Sequence, residues 1–478
     1  MTRRTGPRGP VAALVALVLL VTGCTAPIDP YRSGPIVVAT TGSPTTLDPV
    51  FAADAASQDL VTNVYERLLM IEPKTGQARP EAAQECKFTA PTVYLCSLRD
   101  KTWFHNGNPV TAEDIKFSIE RAKRIGGERG RIFDVITDIT IPSERRLEFH
   151  LARPDHQIAA ILATPQASIV DHRTVGLTEM APTNRESASG PLVLRRFEPG
   201  LQEYERYGNY QGARWAAWGR FTVRQYTEDG LARALQNPQS GIDVVWHGLR
   251  DGGRPPNDWQ EVVAPEGQAR WLRWNPTWQE SRDPAMRAWL VAATTELRNW
   301  DSVIPPSMAG HTTTFPMPPV APGQRPKLPG NELRIGYVSS VAGLPALAEQ
   351  LRFALQYDGT IVLSPDRTDV AVFLEEIRAT TPGSYLQPWL ADLPADRRAQ
   401  VQPLYDQWVS ATTEPDRVRL LGDLQRAVAE DGTVVPLTIA NDRIWLAPDI
   451  QVRTNTEREH DIPNWGTGYT LGLWGLYR

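Results

Sequence analysis

Cysteine is scarce in this 478-residue chain: there are three, and none is spaced as a zinc ligand would be. Histidine is scarce as well. The seven, at 105, 150, 156, 172, 247, 311 and 460, never fall at i, i+3 or i, i+4, so no helix offers a paired metal site. There is no G-x-S-x-G, no S-x-x-K, no H-E-x-x-H and no Gly-rich phosphate loop. These absences predict a protein that is not an enzyme and that holds no cofactor and no metal. Basic charge is not in excess either. The net charge is -5, which argues against a nucleic-acid partner. Lysine numbers six against forty-four arginines, a bias of genome composition more than of function.

Long apolar runs are confined to the N-terminus. Arg3, Arg4 and Arg8 precede an unbroken apolar stretch from Val11 to Val21. Eleven residues are too few to cross a hydrocarbon core of ~30 Å, so the pattern is that of a signal peptide. It ends in Val21-Thr22-Gly23-Cys24, which resembles a bacterial lipobox with Cys24 as the lipidated residue. Loss of the three arginines takes the net charge of the 455-residue remainder from -5 to about -8. The expected location is the outer face of the cell membrane, held by acyl chains. Cys86 and Cys96 lie in CKFTAPTVYLC, whose alternation on either side of Ala90-Pro91 reads as a hairpin. A disulfide across it would stabilise by roughly 2–3 kcal/mol.

What is abundant is ordered pattern. Leu98 to Ala122 reads LRDKTWFHNGNPVTAEDIKFSIERA: a strand ending at Phe104, a turn at His105-Asn106-Gly107, then a capped amphipathic helix. Thr111 suits the N-cap, Glu113 and Asp114 face the positive terminus, and Ile115, Ile119 and Ala122 make one apolar stripe. Upstream, Ala55 to Met70 reads as a helix with Leu60, Val64 and Leu68 at i, i+4, i+8. Downstream, Asp138–Ile141 and Arg146–Leu151 look like paired strands. Leu333–Val338 and Asp369–Leu374 read as strands flanking a helix at Leu344–Leu355, which suggests a mostly parallel sheet. Arg417–Ala429 reads as a helix with Val418, Leu421 and Val428 on one side. Eight prolines in 304–330 mark an irregular connection.

The 98–122 stretch resembles the signature of family 5 solute-binding proteins, the peptide- and nickel-binding receptors of ABC importers. Further landmarks agree: Val64-Tyr65-Glu66-Arg67-Leu68-Leu69, Gly190-Pro191-Leu192, Phe197-Glu198-Pro199-Gly200, Asn209-Tyr210, and Gln239 to Val245. The resemblance implies an α/β, two-lobed periplasmic-binding-protein-like fold (type II, cluster C) with an inserted subdomain in the first lobe. The expected divisions are a signal peptide at 1–23, a lipidated linker at 24–34, and lobe I at 35–72 and 188–272. The insert would fill 73–187, lobe II 273–447, and 448–478 would return to lobe I. It implies capture of an extracellular solute, above all short peptides, by a monomer that delivers it to an ABC permease. A receptor for a metal chelate, haem or glycan, and a degenerate lipoprotein that no longer transports, remain open alternatives.

Peptide-binding relatives fix the ligand's amino terminus with an aspartate in a D-Y-x-D-P loop. Here Glu375-Glu376-Ile377-Arg378-Ala379-Thr380-Thr381-Pro382-Gly383 follows the matching strand, with Thr380 or Thr381 in the aspartate's place. A buried ammonium without a carboxylate would cost several kcal/mol, so Glu375 or Glu376 is expected to substitute. Position adds Thr41, Gly42 and Ser43 after the first strand, and Trp246 and His247 at a strand edge. Tyr385 and Trp389, in the expected loop beyond, complete the candidate ligand-binding set.

Overall fold

The computed structural model describes residues 34–72, 77–246, 257–263, 268–306, 310–315, 331–339, 343–355, 359–377, 381–440, 443–453 and 472–478, with Pro255, Met308 and Val341 singly. The signal peptide, Cys24, His247, Thr380 and most of the proline-rich connection lie outside these residues.

Three sheets organise the molecule. The first holds seven strands in the order Gln260–Val263, Arg443–Leu446, Val244–Trp246, Ile36–Thr40, Arg220–Gln225, Leu201–Arg206 and Leu192–Glu198. Its centre is Ile36–Thr40 (IVVAT), a β-branched run buried along its whole length and parallel to both neighbours. A four-stranded antiparallel sheet, Ala83–Ala90, Val93–Leu98, Arg146–Leu151 and Ile136–Ser143, forms the insert. The helix Ala112–Ile125 packs against it, burying Ile115, Ile119 and Ala122 in that subdomain's own core. Cys86 and Cys96 face each other across the hairpin and are joined, with Cα atoms 4.1 Å apart.

The third sheet carries Thr360–Pro365, Glu332–Tyr337, Val372–Ile377, Gln268–Trp274 and Val434–Ala440. Glu332–Tyr337 is parallel to both its neighbours, but Gln268–Trp274 runs antiparallel to both of its own. This corrects the mostly parallel expectation: strands delivered by the first lobe enter against the βαβ direction. The helix Leu344–Ala354 leads to Thr360–Pro365, a strand the pattern did not reveal, before the chain reaches Val372–Ile377. In Glu414–Asp431, Leu421 and Val428 are buried whereas Val418 is 42 % exposed.

Val263 pairs with Arg443 at the end of the first sheet, and Gln268 pairs with Ala440 at the end of the third, both antiparallel.

Two further expectations are corrected. The strand before the signature turn ends at Leu98, because Lys101 adopts φ +59° and Trp103 retains only an isolated bridge to Pro109. The first helix stops at Val64, not Met70, and Leu69–Ile71 is a short strand. Groups from elsewhere take its terminal carbonyls. The Gly190 N–H donates to Val64 O at 2.8 Å, and Arg214 donates to the carbonyls of Thr62 and Tyr65. Glu66 and Arg67 then turn inward rather than continuing an exposed helical face.

There they meet a buried ion network. Glu81 accepts from the Arg67 backbone N–H and Nε, both at 3.3 Å, and from Arg214. All three side chains are at most 1 % exposed. Burial holds the Glu66 carboxyl above its usual range, against the pull of Arg99 at 2.5 Å. The same desolvation lowers Arg67 to about 10.

Replacing Glu81 by Gln should strand two buried guanidiniums and lower unfolding free energy by roughly 3–5 kcal/mol in urea titration. A loss below about 1 kcal/mol would show the network to be dispensable. Gly190→Ala would bring its Cβ to 2.5 Å from Val64 O, a backbone atom. A destabilisation of about 1–3 kcal/mol or more is expected by the same measurement.

Candidate functional site

The signature is structural scaffolding. His105 sits on the segment before Gly190, its N–H donating to Ala188 O at 2.7 Å and its Nε2 lying 3.0 Å from Gly190 O. Burial lowers its pKa to about 4, so it is neutral. Gly107, at φ +87°, completes the turn that aims the Asn106 and Asn108 amides at Asp171, 2.8 and 2.7 Å away. In the capping box, the Asp114 carboxylate accepts from the Thr111 N–H and hydroxyl, both at 2.8 Å. Arg121 forms a bidentate, fully buried pair with Asp48 at 2.9 and 2.5 Å. The residues the family pattern repeats thus bolt the insert to the first lobe.

Asp114, Asp171 and His172 bring donor atoms within 4.8 Å of one another. Arg173 already holds this cluster, with Nε 2.5 Å from Asp171 and Nη2 3.2 Å from Asp114. Burial raises the Asp171 pKa, but the bonds from Asn108, Asn106 and Arg173 outweigh it and hold the group below its usual range. The cluster is an ion-paired hub in which a guanidinium supplies the positive charge.

The residues expected to bind ligand do not converge. Gly42 and Trp246 share a pocket of about 20 Å³ in the first lobe, and Trp246 is 5 % exposed within that lobe's core. Thr41 and Ser43 are tied to the neighbouring strands: Gln225 donates to Thr41 O at 3.1 Å, and the Gly200 N–H to Ser43 Oγ at 3.2 Å. His247 lies outside the described residues.

Glu375 and Glu376 each pair with an arginine of the adjacent strand. Arg273 binds Glu375 with Nε at 2.9 Å and Nη2 at 2.6 Å, and the Trp271 indole adds a bond at 3.2 Å. Arg270 pairs with Glu376 at 3.2 Å. The cause is the antiparallel register, which sets Trp271 opposite Glu375 and Arg270 opposite Glu376. Tyr385 and Trp389 lie on a helix rather than in the expected loop. The expected loop is the helix Pro382–Asp392, capped by Thr381, whose hydroxyl accepts from the Ser384 N–H. At i, i+4 on that helix both rings turn into the second lobe's core at 0 % exposure, and Trp389 Nε1 donates to Asp431 at 3.2 Å.

A better candidate lies where the insert meets the second lobe. The segment 153–157 leaves the four-stranded sheet and docks on the helices Pro382–Asp392 and Ala395–Ser410. The His156 N–H donates to Val409 O at 2.8 Å, and the Gly383 N–H donates to Gln157 Oε1 at 3.1 Å. Arg153 reaches Asp406 at 3.6 Å, and the His156 ring meets Trp408 edge-on at 5.3 Å. Gly383 permits this approach, since a Cβ there would lie 2.2 Å from Gln157 Oε1.

Between the two bodies is a cavity of about 220 Å³. Its polar lining includes Arg153, Asp155, Gln157, Thr381, Gln387 and Tyr405. Asp155 is 4 % exposed, and desolvation raises its pKa to about 6, opposed by the Gln157 N–H and by Arg153. Its Oδ1 accepts that N–H at 2.9 Å. Tyr405 bonds the Gln157 and Gln387 side chains, and burial raises its phenol pKa. No local pattern marks Asp155 in the sequence. The cavity beside it is lined both by its own subdomain and by residues from 381 to 405.

Comparison with known proteins agrees with this architecture. Residues 78–287 match the model of the bacterial extracellular solute-binding proteins, family 5. A stretch of 222 residues is 27 % identical to the Escherichia coli K12 protein named "Probable D,D-dipeptide-binding periplasmic protein DdpA". It covers 44 % of this chain and 42 % of that one, so the chain spans less than half the length of this relative. Among solved structures, Brucella suis NikA in complex with Fe(III)-EDTA aligns with a TM-score of 0.75 at 14 % identity, over 93 % of this chain and 100 % of that one. Helicobacter pylori DppA in complex with the peptide STSA gives 0.73 at 15 % identity, over 93 % and 98 %. These likenesses establish the two-lobed fold. The stretch 78–287 thus matches the middle region of the family 5 bacterial extracellular solute-binding proteins, and the chain shares the two-lobed fold of the solved structures.

Proposed function

We propose that this protein captures an extracellular solute, above all a short peptide, and delivers it to an ABC permease. The observation that carries this reading is the polar cavity between the insert and the second lobe, with a buried carboxylate in its wall. Closure of the two lobes on each other would bury a solute there. The relatives' names support the solute class. DdpA's name specifies D,D-dipeptides and the Helicobacter pylori protein was solved with a peptide, while NikA held a metal chelate.

The lobe boundaries near 73, 188, 273 and 448 belong to the same proposal, as do the acyl anchor at Cys24, the outward-facing membrane location and the monomeric state. Among the described residues, no helix is long and apolar enough to cross a membrane. A second reading, an interaction lipoprotein that no longer carries solute, draws on the direct bonds of His156 and Gln157 to the second lobe and on the pairing of Glu375 and Glu376.

Native mass spectrometry of the full chain, extracted from its host's membranes in mild detergent, separates the readings. A heterogeneous set of adducts of peptide mass is expected. A single discrete adduct would indicate one dedicated solute instead. A clean apo mass, unchanged by added peptide and chelate pools, would contradict solute capture. The same spectrum tests the anchor, because cleavage before Cys24 and acylation alter the protein mass together.

A further inference from the structure

The segment Arg153 to Gln157 leaves the insert and ends on two helices of the second lobe, Pro382–Asp392 and Ala395–Ser410. A helix leaves its first N–H groups and its last carbonyls without partners of its own. Gly383 is the second residue of the first helix, and its N–H donates to Gln157 Oε1 at 3.1 Å. Val409 is the penultimate residue of the other, and its carbonyl accepts the His156 N–H at 2.8 Å. Two consecutive residues of the insert therefore cap the start of one helix and the end of the next.

Side chains complete the contact. Asp155 Oδ1 accepts the Gln157 N–H at 2.9 Å, which fixes the turn that presents both capping groups. The His156 ring meets Trp408 edge-on at 5.3 Å, and burial, with the Arg417 charge nearby, keeps the imidazole neutral. Tyr405 bonds the Gln157 side chain from the same helix as Trp408. Gly383 makes room for all of this, because a Cβ there would meet Gln157 Oε1 at 2.2 Å. Every one of these bonds runs directly from protein to protein.

We infer that 153–157 is a latch: by capping two helices of the second lobe it holds the insert against that lobe, so the closed form is stabilised before a solute arrives. A ligand binds more tightly when its competent state is already populated, so the latch sets how much of the closing free energy the solute must supply. The inference needs the two lobes but no particular solute.

The test is hydrogen–deuterium exchange on the full chain, verified as solute-free by native mass spectrometry, in wild type, Gly383→Leu and His156→Glu. In wild type, 153–157 should exchange roughly tenfold or more slowly than open chain. Gly383→Leu wedges the contact from the second lobe and should speed exchange at 153–157 on the insert by roughly tenfold. His156→Glu places an unpaired charge against Trp408 from the insert and should speed exchange at 381–386 and 407–411 on the second lobe. The seven-stranded sheet should keep its protection in both variants, which shows that they fold.

Exchange of 153–157 at the open-chain rate in solute-free wild type would overturn the latch, and that measurement needs no variant. So would variants that each loosen only their own side of the contact. No solute enters the experiment, so its failure leaves the receptor reading standing, and loss of the receptor reading leaves the latch.

Discussion

One buried carboxylate, Glu81, is held between the guanidiniums of Arg67 and Arg214 where several distant segments meet. An ion pair at this depth adds little net stability over a well-packed apolar core, but it is intolerant of a missing partner. That intolerance explains the surrounding architecture. Arg214 caps the first helix through the Thr62 and Tyr65 carbonyls and lies over the Trp474 ring at 4.9 Å. The chain's last described segment is held in the same place, with the Leu473 N–H donating to Asn63 Oδ1 at 2.8 Å. Helix end, insert entry and C-terminal return are thereby fixed by one electrostatic knot.

The same logic separates scaffold from site. The most regular stretch of the sequence, 98–122, commits several polar residues to the scaffold: Asn106 and Asn108 to Asp171, Asp114 to Thr111 and His172, Arg121 to Asp48. Satisfied groups of this kind have nothing left to offer a ligand. The cavity wall differs in one respect: among the described residues its buried acid, Asp155, accepts a single hydrogen bond.

Much of the fold was legible in the sequence for local reasons. The Asn-Gly turn, the Thr111 cap and the apolar stripe of Ala112–Ile125 act over a few residues, and the Cys86–Cys96 hairpin needs only alternation and a turn. Where the sequence misled, a distant partner had overridden a local signal. Leu68 continues the helical period, yet the helix ends at Val64 because Gly190 and Arg214 claim its carbonyls. Glu375 and Glu376 are free in the sequence and paired in the fold, because an antiparallel strand from the first lobe places Arg270 and Arg273 against them. Tyr385 and Trp389 resemble cleft aromatics until Thr381 caps a helix whose period turns them into the core. Asp155 could not be found this way, since its cavity is closed in part by Thr381, Gln387 and Tyr405, far away in the chain.

The central claim is that solute is held between the insert and the second lobe. Hydrogen–deuterium exchange on the full chain, with and without the solute it retains, tests this directly. Capture in the cavity predicts added protection in two segments at once, 152–161 on the insert and 381–387 on the second lobe, with the seven-stranded sheet unchanged. Protection confined to 41–44 and Val244–Trp246, with neither cavity segment affected, would place the solute in the first lobe and contradict it.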